Sequence, residues 1–187
     1  ITWSLVGSEM CIRDRPILPL TNTVLFPGVV IPINAGRDKS IKLIKDANKS
    51  SKLIGVVAQR NINDENPGIE NIYGVGTVAK ILRVLKMPDG NTTVIIQGKK
   101  RFKIKSIVKS NPYIQATVDP VSDEALKKSN SKFSATIDAI KDIALKIIKE
   151  NPNIPSEASF AIKNIHSSAF LINFVSSNMN ITVKDKQ

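Results

Sequence analysis

The hydrophobic period of this chain changes once, near Pro120, and that change constrains the fold more than any other feature of the sequence. Before Pro120, apolar residues alternate with polar ones about every second position, as in half-buried β-strands. After Pro120 they recur at a spacing of about 3.6, as on one face of an α-helix. We therefore expect an α+β chain with a β lobe over residues 16–120 and a helical lobe over residues 121–187.

Strand and turn signals define the β lobe. Pro27-Gly28 predicts a turn, and Asp89-Gly90 predicts the tight reversal of a long hairpin. The apolar run at 53–58 is typical of a strand that is buried on both faces. Strands are predicted at 17–20, 29–33, 53–58, 75–86, 92–98, 99–108 and 113–118, with one surface helix at 37–49.

Three apolar stripes predict three helices in the helical lobe, and a serine at 167 or 168 is the expected cap of the third. Their members are Phe133, Ile137, Ile140, Ala144 and Ile147; then Ala158, Ala161, Ile162 and Ile165; then Leu171, Phe174, Val175 and Asn178. The second helix is expected to start near Pro155. The final ITVKDKQ shows no stripe, so we expect no packed ending there.

Residues 1–15 differ in composition from the rest of the chain and do not begin with Met. They resemble translated sequencing-adapter DNA of the kind found at the ends of metagenomic gene fragments. A secretory signal is disfavoured because Glu9, Arg13 and Asp14 interrupt the apolar stretch. We interpret residues 1–15 as a non-native tail and give them no functional role.

Composition excludes several classes of protein. Cys11 and His166 are the only residues of their types among the 187, which excludes a disulfide framework and a multi-histidine metal site. No apolar run approaches the ~20 residues that a membrane-spanning helix needs. We expect a chain without membrane association, in a reducing cytoplasm.

The formal net charge of +11 is large enough to attract nucleic acid or acidic surfaces. Most lysines alternate with apolar residues along predicted helices and strands, as they do on solvated faces. Nucleic-acid binding is therefore expected to be at most a secondary role.

No motif for catalysis or cofactor binding stands out. Gly98-Lys99-Lys100 lacks the upstream glycine and the hydroxyl residue of a phosphate-binding loop, and Gly74-Val75-Gly76 lacks the third glycine of a dinucleotide fingerprint. His166 lies at a predicted helix end between polar neighbours, and Asp64-Glu65 and Asp123-Glu124 lie in loops. We predict no catalytic, cofactor-binding or metal-binding residue in this chain.

Three segments resemble the amino-terminal domain of bacterial Lon ATP-dependent serine proteases. They are LPLTNTVLFPGVVIPINAGRDKSIKLI at 18–44, PGIENIYGVGTVAKILRVLKMPDGNTTVIIQGKKRFKI at 67–104, and NPNIPSEASFAIKNIHSSAFLINFVSSNMNI at 151–181. The resemblance extends over essentially all of residues 16–187, in the order that the family has.

That resemblance implies a small PUA-like mixed β-sheet or barrel lobe followed by a helical bundle. In the family this domain recognises unfolded or tagged protein substrates in protein quality control and helps to organise a homohexamer. ATP and Mg²⁺ are used, and the Ser-Lys dyad is located, further along the polypeptide. The resemblance therefore implies a non-catalytic fragment, truncated before the long helix and the ATPase domain.

A surface that accepts many unfolded sequences must be apolar or adaptable. We expect it to include an apolar loop tract and a hairpin tip: Val24, Leu25, Phe26, Pro27, Met87 and Pro88. The alternative is that Leu25 and Phe26 fill the core of the β lobe. Two other functions stay open, a stand-alone adaptor protein with the same domain and a PUA-like RNA-binding module.

Overall fold

The computed structural model describes residues 13–61, 63–64, 67–87, 92–121, 131–151 and 157–187, and these form two compact units. The β unit holds the described residues up to 121 together with residues 180–187. The helical unit holds residues 131–151 and 157–179. The α+β class expected from the change of period is confirmed.

Strands dominate the β unit. They are β1 (Arg13–Leu20), β2 (Val30–Ala35), β3 (Leu53–Ala58), β4 (Val75–Lys86), β5 (Thr92–Lys109) and β6 (Gln115–Pro120). Helix α1 (Asp38–Lys49) lies between β2 and β3 in the sequence, and Ile69–Asn71 forms a single 3₁₀ turn. Leu43, Ile44 and Ala47 are the buried residues of α1.

The six strands form a mixed sheet in which five strands close into a ring. β1 pairs parallel with β3 and antiparallel with β6. The antiparallel pairs β3–β4, β4–β5 and β5–β6 complete the ring. β2 pairs with the first half of β5, from Thr92 to Gln97, and therefore extends the sheet outside the ring.

The interior of the β unit contains two clusters of buried apolar side chains. The larger lies beneath α1 and includes Leu43, Ile54 and Ile96. The smaller surrounds Phe102, which is fully buried. A Cβ at Gly55 would lie 2.6 Å from the Ile17 Cδ1 atom and 3.0 Å from the Phe102 Cζ atom, so a larger residue at this position would require the Ile17 side chain to shift.

The helical unit consists of α2 (Ser131–Glu150), α3 (Glu157–Lys163) and α4 (Ser168–Asn178). Its described buried apolar residues are Ile137, Ile162, Ile165 and Leu171. Ser167 caps α4, because its hydroxyl oxygen accepts a hydrogen bond from the Phe170 backbone N–H at 3.2 Å. That cap was one of the two predicted. Pro155, the expected start of the second helix, lies outside the described residues.

The structure differs from the sequence-based division at both ends of the chain. β1 begins at Arg13, inside the segment interpreted as a tail, and Arg13 to Arg15 pair with residues of β6. Residues 1–12 lie outside the described part of the chain. At the other end, 180–187 belong to the β unit and not to the helical lobe of residues 121–187.

The prediction that ITVKDKQ has no packed ending is wrong. These residues include a short helix, α5 (Val183–Lys186), whose Asp185 N–H donates to the Thr182 hydroxyl oxygen at 3.2 Å. The Gln187 side-chain Nε2 then donates to the Val75 carbonyl oxygen on β4 at 3.0 Å. A segment this short gives no helical period, so its capping and its contact with β4 were not visible in the sequence.

Candidate functional site

The loop between β1 and β2 holds four of the six predicted substrate-binding residues, and it packs inward. Leu25 is 5% exposed and belongs to the larger core cluster, and Pro27 is buried. Val24 and Phe26 are half-buried. The alternative interpretation is therefore correct for Leu25, which fills the core. Leu25 and Pro27 do not present an apolar surface, because the loop is held against the strands beneath it.

Hydrogen bonds explain why this loop stays inward. The buried Thr77 hydroxyl donates to the Leu25 carbonyl oxygen at 2.7 Å. The Gly28 N–H donates to the Gly98 carbonyl oxygen, and the Gly98 N–H donates to the Val29 carbonyl oxygen, both at 2.9 Å. Gly28 has a φ of 82°, the left-handed conformation that a turn after Pro27 requires.

A small cavity lies beside this loop. It has a volume of about 80 Å³, and Val24, Phe26, Lys186 and Gln187 are among the residues that line it. That volume holds two or three water molecules at ~30 Å³ each. It is much smaller than the two other cavities of the β unit described below.

Met87, in contrast, is 46% exposed at the end of β4. Pro88, predicted with it, lies outside the described residues. Leu85, two positions before Met87 and near the end of β4, is 39% exposed. The structure therefore separates the predicted residues: Met87 is exposed, Leu25 and Pro27 are buried, and Val24 and Phe26 are half-buried.

Met87 is part of a larger solvent-facing surface, which we call the outer face. Residues that pair directly across neighbouring strands direct their side chains to the same side of a sheet. The pairings of β2 with β5 and of β5 with β4 place three rows on this side, and Met87 follows the last row. The outer face consists of Val30, Gln97 and Lys80; Pro32, Ile95 and Arg83; Asn34, Thr93 and Leu85; and Met87.

The outer face contains both apolar and polar side chains. Val30 is 47% exposed and Pro32 is exposed, while Ile95 is half-buried between them. The Thr93 hydroxyl donates to the Asn34 side-chain oxygen at 2.8 Å across the strands. The opposite face of the same strands packs against the larger core cluster. One side of this sheet therefore builds the core and the other remains available for binding.

Sequence reasoning missed Val30 and Leu85 as surface residues. In β4, Ile81 pairs with Ile96 and Arg83 pairs with Ile95, so Leu82 is an extra residue in a β-bulge. The bulge exchanges the faces of every later residue of the strand. The available signal was the surplus of apolar residues in 81–85, more than a single buried face accommodates.

A second cavity lies at another side of the β unit, and Arg37 is one of the residues that line it. It has a volume of about 320 Å³ and is lined in part by Arg37, Glu70 and Tyr113. Arg37 donates to the Gln59 side-chain oxygen at 3.2 Å and to the Asp64 carbonyl oxygen at 3.1 Å. These two bonds connect Arg37 to the residue directly after β3 and to the loop that follows it, and so hold its side chain in place.

No arrangement of catalytic or metal-binding side chains is found in the described residues. Groups of three or more His, Cys, Asp or Glu side chains that are close enough to hold a metal ion are absent from them. His166 is exposed between α3 and α4. What the geometry offers is a binding surface.

Comparison with known proteins gives this surface its context. Residues 14–187 match the family model described as the ATP-dependent protease La (LON) substrate-binding domain. The chain is 65% identical over 172 residues to a Lon protease of Flavobacterium johnsoniae and 52% identical over 172 residues to one of Cytophaga hutchinsonii. In both cases the match covers 92% of this chain and 21% of the relative.

The chain belongs to the LON substrate-binding domain family. This confirms the resemblance drawn from the three sequence segments. The match is to the substrate-binding part of the family, which lacks the protease active site, so the expectation of a non-catalytic chain is also confirmed. The chain spans 21% of the length of these relatives.

Two solved structures have the same fold as this LON domain. The amino-terminal domain of a Mycobacterium avium complex Lon protease superposes with a TM-score of 0.74 at 20% identity, covering 93% of this chain and 87% of that one. A Lon N-terminal domain protein from Xanthomonas campestris gives 0.58 at 14% identity, covering 90% and 99%. In the described residues of the present domain, no helix has the length and apolar character required to cross a membrane.

Proposed function

We propose that this domain captures unfolded or tagged protein substrates for an ATP-dependent Lon protease, and that the outer face is its contact surface. The proposal is supported by a group of large apolar side chains that are exposed on the sheet. Val30, Leu85 and Met87 are each more than a third exposed. The chain that contains them belongs to a family whose model is described as substrate-binding.

The composition of the outer face suits a ligand of variable sequence. Apolar residues provide binding energy without directional demands, and Met87 is an adaptable side chain of the kind that promiscuous surfaces use. Asn34, Thr93 and Gln97 add hydrogen-bonding groups that an extended backbone or a polar side chain can reach. Such a mixture binds many unfolded segments and selects no single sequence.

The position of β2 favours an extended ligand. β2 pairs with β5 on one side, and among the described strands no other pairs with it. A free strand edge offers backbone groups that an extended peptide can pair with. Pro32 lacks an N–H, so an extended peptide can pair with this edge only through the residues on either side of Pro32.

Site-specific photo-crosslinking tests the proposal. A photoreactive amino acid replaces Leu85 in one variant and Val108 in another. Val108 lies at the far end of β5 and is 44% exposed, so the two positions are matched in accessibility. With an unfolded polypeptide, we expect labelling from position 85 to exceed labelling from position 108 severalfold. Equal labelling from both positions contradicts the outer face as the contact surface.

The buried loop gives a second control. In a variant that retains the crosslinker at position 85, Phe26→Ala is expected to leave labelling unchanged, provided that the domain remains folded by circular dichroism. Phe26 is half-buried, lines the small cavity beside the loop and does not belong to the outer face. Loss of labelling would indicate that the 24–27 loop contributes to the substrate contact.

The rest of the function belongs to the proposed parent protein. There, ATP with Mg²⁺ supplies the energy for unfolding, and a Ser-Lys dyad outside this chain cleaves the substrate. The parent is proposed to assemble as a homohexamer in the cytoplasm. The competing adaptor function is decided by the gene: an open reading frame that continues past Gln187 into an ATPase supports the protease, and a stop codon supports the adaptor.

A further inference from the structure

The outer face ends at a basic cavity. The cavity has a volume of about 330 Å³ and is bounded by residues of β1, β3, β4, β5 and β6. Lys80, which belongs to the outer face, also lines the cavity. The Lys99 side chain lines it too and donates to the Gln97 side-chain oxygen of the outer face at 2.7 Å. The two features therefore form one continuous surface.

A β-bulge in β5 builds the basic wall of this cavity. Ala79 pairs with Gly98, and Thr77 pairs with Arg101, so β5 has one residue more than β4 over this stretch. Bulges turn side chains away from the regular alternation of a strand. Here the bulge falls at Lys99 and Lys100, and both side chains line the cavity.

Basic residues predominate over acidic ones in the described lining of the cavity. Five of its lining residues are basic, and no acidic residue is among its described lining: the basic residues are Arg15, Lys80, Lys99, Lys100 and Arg101. A concentration of like charge in a concave site raises the local potential and attracts ligands of opposite charge. The three lysines are exposed, and they make the cavity complementary to an anion.

The floor of the cavity is apolar. Leu53, Val78 and Val118 contribute to it, together with Phe102 and Pro120. Phe102 is fully buried and offers no ring face for stacking. Single-stranded nucleic acids bind mainly through stacking of bases on accessible aromatic rings combined with phosphate contacts. An apolar floor beneath basic side chains fits better a polypeptide that carries carboxylates next to aliphatic residues.

We propose that the basic cavity selects protein segments in which acidic residues adjoin apolar ones, and binds their carboxylates while the outer face binds the apolar side chains. This inference rests on the proposed substrate-binding function and specifies its substrate class. The lysines act by charge complementarity, so the preference weakens as ionic strength rises.

Fluorescence anisotropy with matched peptides tests the preference. One labelled peptide alternates Leu with Asp, and a second alternates Leu with Asn, which has the same shape without the charge. The domain is used as the whole 187-residue chain. We expect the Asp peptide to bind about fivefold to tenfold more tightly at low salt, as expected for a few exposed ion pairs.

Two triple variants of equal net charge test whether the preference for the Asp peptide depends on the lysines of the cavity. Lys80→Gln/Lys99→Gln/Lys100→Gln neutralises the cavity. The control Lys42→Gln/Lys45→Gln/Lys49→Gln neutralises three exposed lysines of α1, none of which lines the cavity. We expect the cavity variant to bind the Asp and Asn peptides within about twofold of each other, and the control to retain the preference.

Each alternative outcome has a distinct meaning. Equal binding of both peptides by the unmodified domain overturns the acidic preference and leaves the substrate-binding function standing. Absence of binding to either peptide contradicts the substrate-binding function itself. Equal losses in both triple variants assign the effect to net charge and overturn the role of the cavity. Tighter, cavity-dependent binding of an oligouridylate than of the Asp peptide overturns the peptide in favour of nucleic acid.

Discussion

The β unit and the helical unit bury their apolar residues to very different extents. Within the described residues, the two clusters of the β unit contain thirteen and six buried side chains, whereas the cluster of the helical unit contains four. The helical unit also exposes large apolar residues: Ile143 is 60%, Ile147 56% and Phe160 73% accessible. The sheet brings residues from distant parts of the sequence into a core, while each short helix contributes one narrow stripe.

The two units therefore obtain their stability from interiors of different size. Burial stabilises by about 25 cal/mol per Å² of apolar surface, so the β unit gains far more from its interior. Its core also depends on close contacts that tolerate little change in volume. The helical unit has a smaller interior, and its exposed residues tolerate substitution.

The largest expected effect is that of Phe102→Ala. Phe102 is fully buried in the β unit, and its truncation is expected to lower the free energy of unfolding by about 3–5 kcal/mol. The matched control is Phe160→Ala in α3, whose expected change is within about 0.5 kcal/mol. Urea unfolding followed by circular dichroism measures both. Similar losses in the two variants would contradict the comparison.

Gly76→Ala is expected to have an intermediate effect. A Cβ at Gly76 would overlap the Val56 carbonyl oxygen, and it would lie 2.7 Å from Val57 Cγ2 and 2.8 Å from Phe102 Cζ. Overpacking of this kind costs roughly 1–3 kcal/mol of unfolding free energy.

Gly36→Ala is the control for Gly76→Ala, since a Cβ at Gly36 would meet no neighbouring atom within 4 Å. Its expected change is within about 0.5 kcal/mol in either direction. The same urea unfolding experiment compares the two variants. If Gly36→Ala destabilised the domain as strongly as Gly76→Ala, tight packing around Phe102 would not be the reason.

The smallest expected effect concerns Tyr113, whose hydroxyl donates to an Asp46 carboxylate oxygen on α1 at 3.2 Å. Burial, followed by the negative charge of Asp46 and this hydrogen bond, raises the pKa of Tyr113 above 10.0, while a hydrogen bond with Gln115 opposes the rise. Because the folded state holds the proton more tightly, the stabilisation is complete below pH 10.0 and is lost as the pH rises through the folded-state pKa.

A Tyr113→Phe variant isolates this contribution. Between about pH 9 and about pH 11, the free energy of unfolding of the unmodified domain is expected to fall more steeply than that of the variant. Urea unfolding at a series of pH values gives both slopes. Equal slopes would show that ionisation of Tyr113 does not change the free energy of unfolding.

The sequence was most informative where structure depends on neighbouring residues. The strand at 53–58, buried along most of its length, and the Ser167 cap were both predicted correctly. Both depend on residues within one element or one turn. The strand predicted at 99–108 also lies within β5, where buried Phe102 alternates with exposed Arg101 and Lys103 because a strand repeats every two residues.

Features that depend on distant residues were not visible in the sequence. The parallel pairing of β1 with β3 and the contact of Gln187 with Val75 join segments far apart in the chain. Only part of the candidate site was predicted from the sequence. Met87 was predicted at the surface, but the bulge at Leu82 determines which later residues of β4 face outward. Without the register, Leu85 could not be assigned to the outer face.

We propose that the β unit, and not the helical unit, contacts the substrate, and that it does so through the outer face. The most direct measurement is the dissociation constant for a labelled unfolded polypeptide with two double variants. Leu85→Ser/Met87→Ser changes the outer face, and Ile143→Ser/Ile147→Ser changes an exposed apolar pair in the helical unit. The outer-face variant is expected to bind about tenfold more weakly and the helical variant within about twofold of the unmodified domain. An unchanged constant for the outer-face variant, or an equal loss in the helical variant, would contradict the claim.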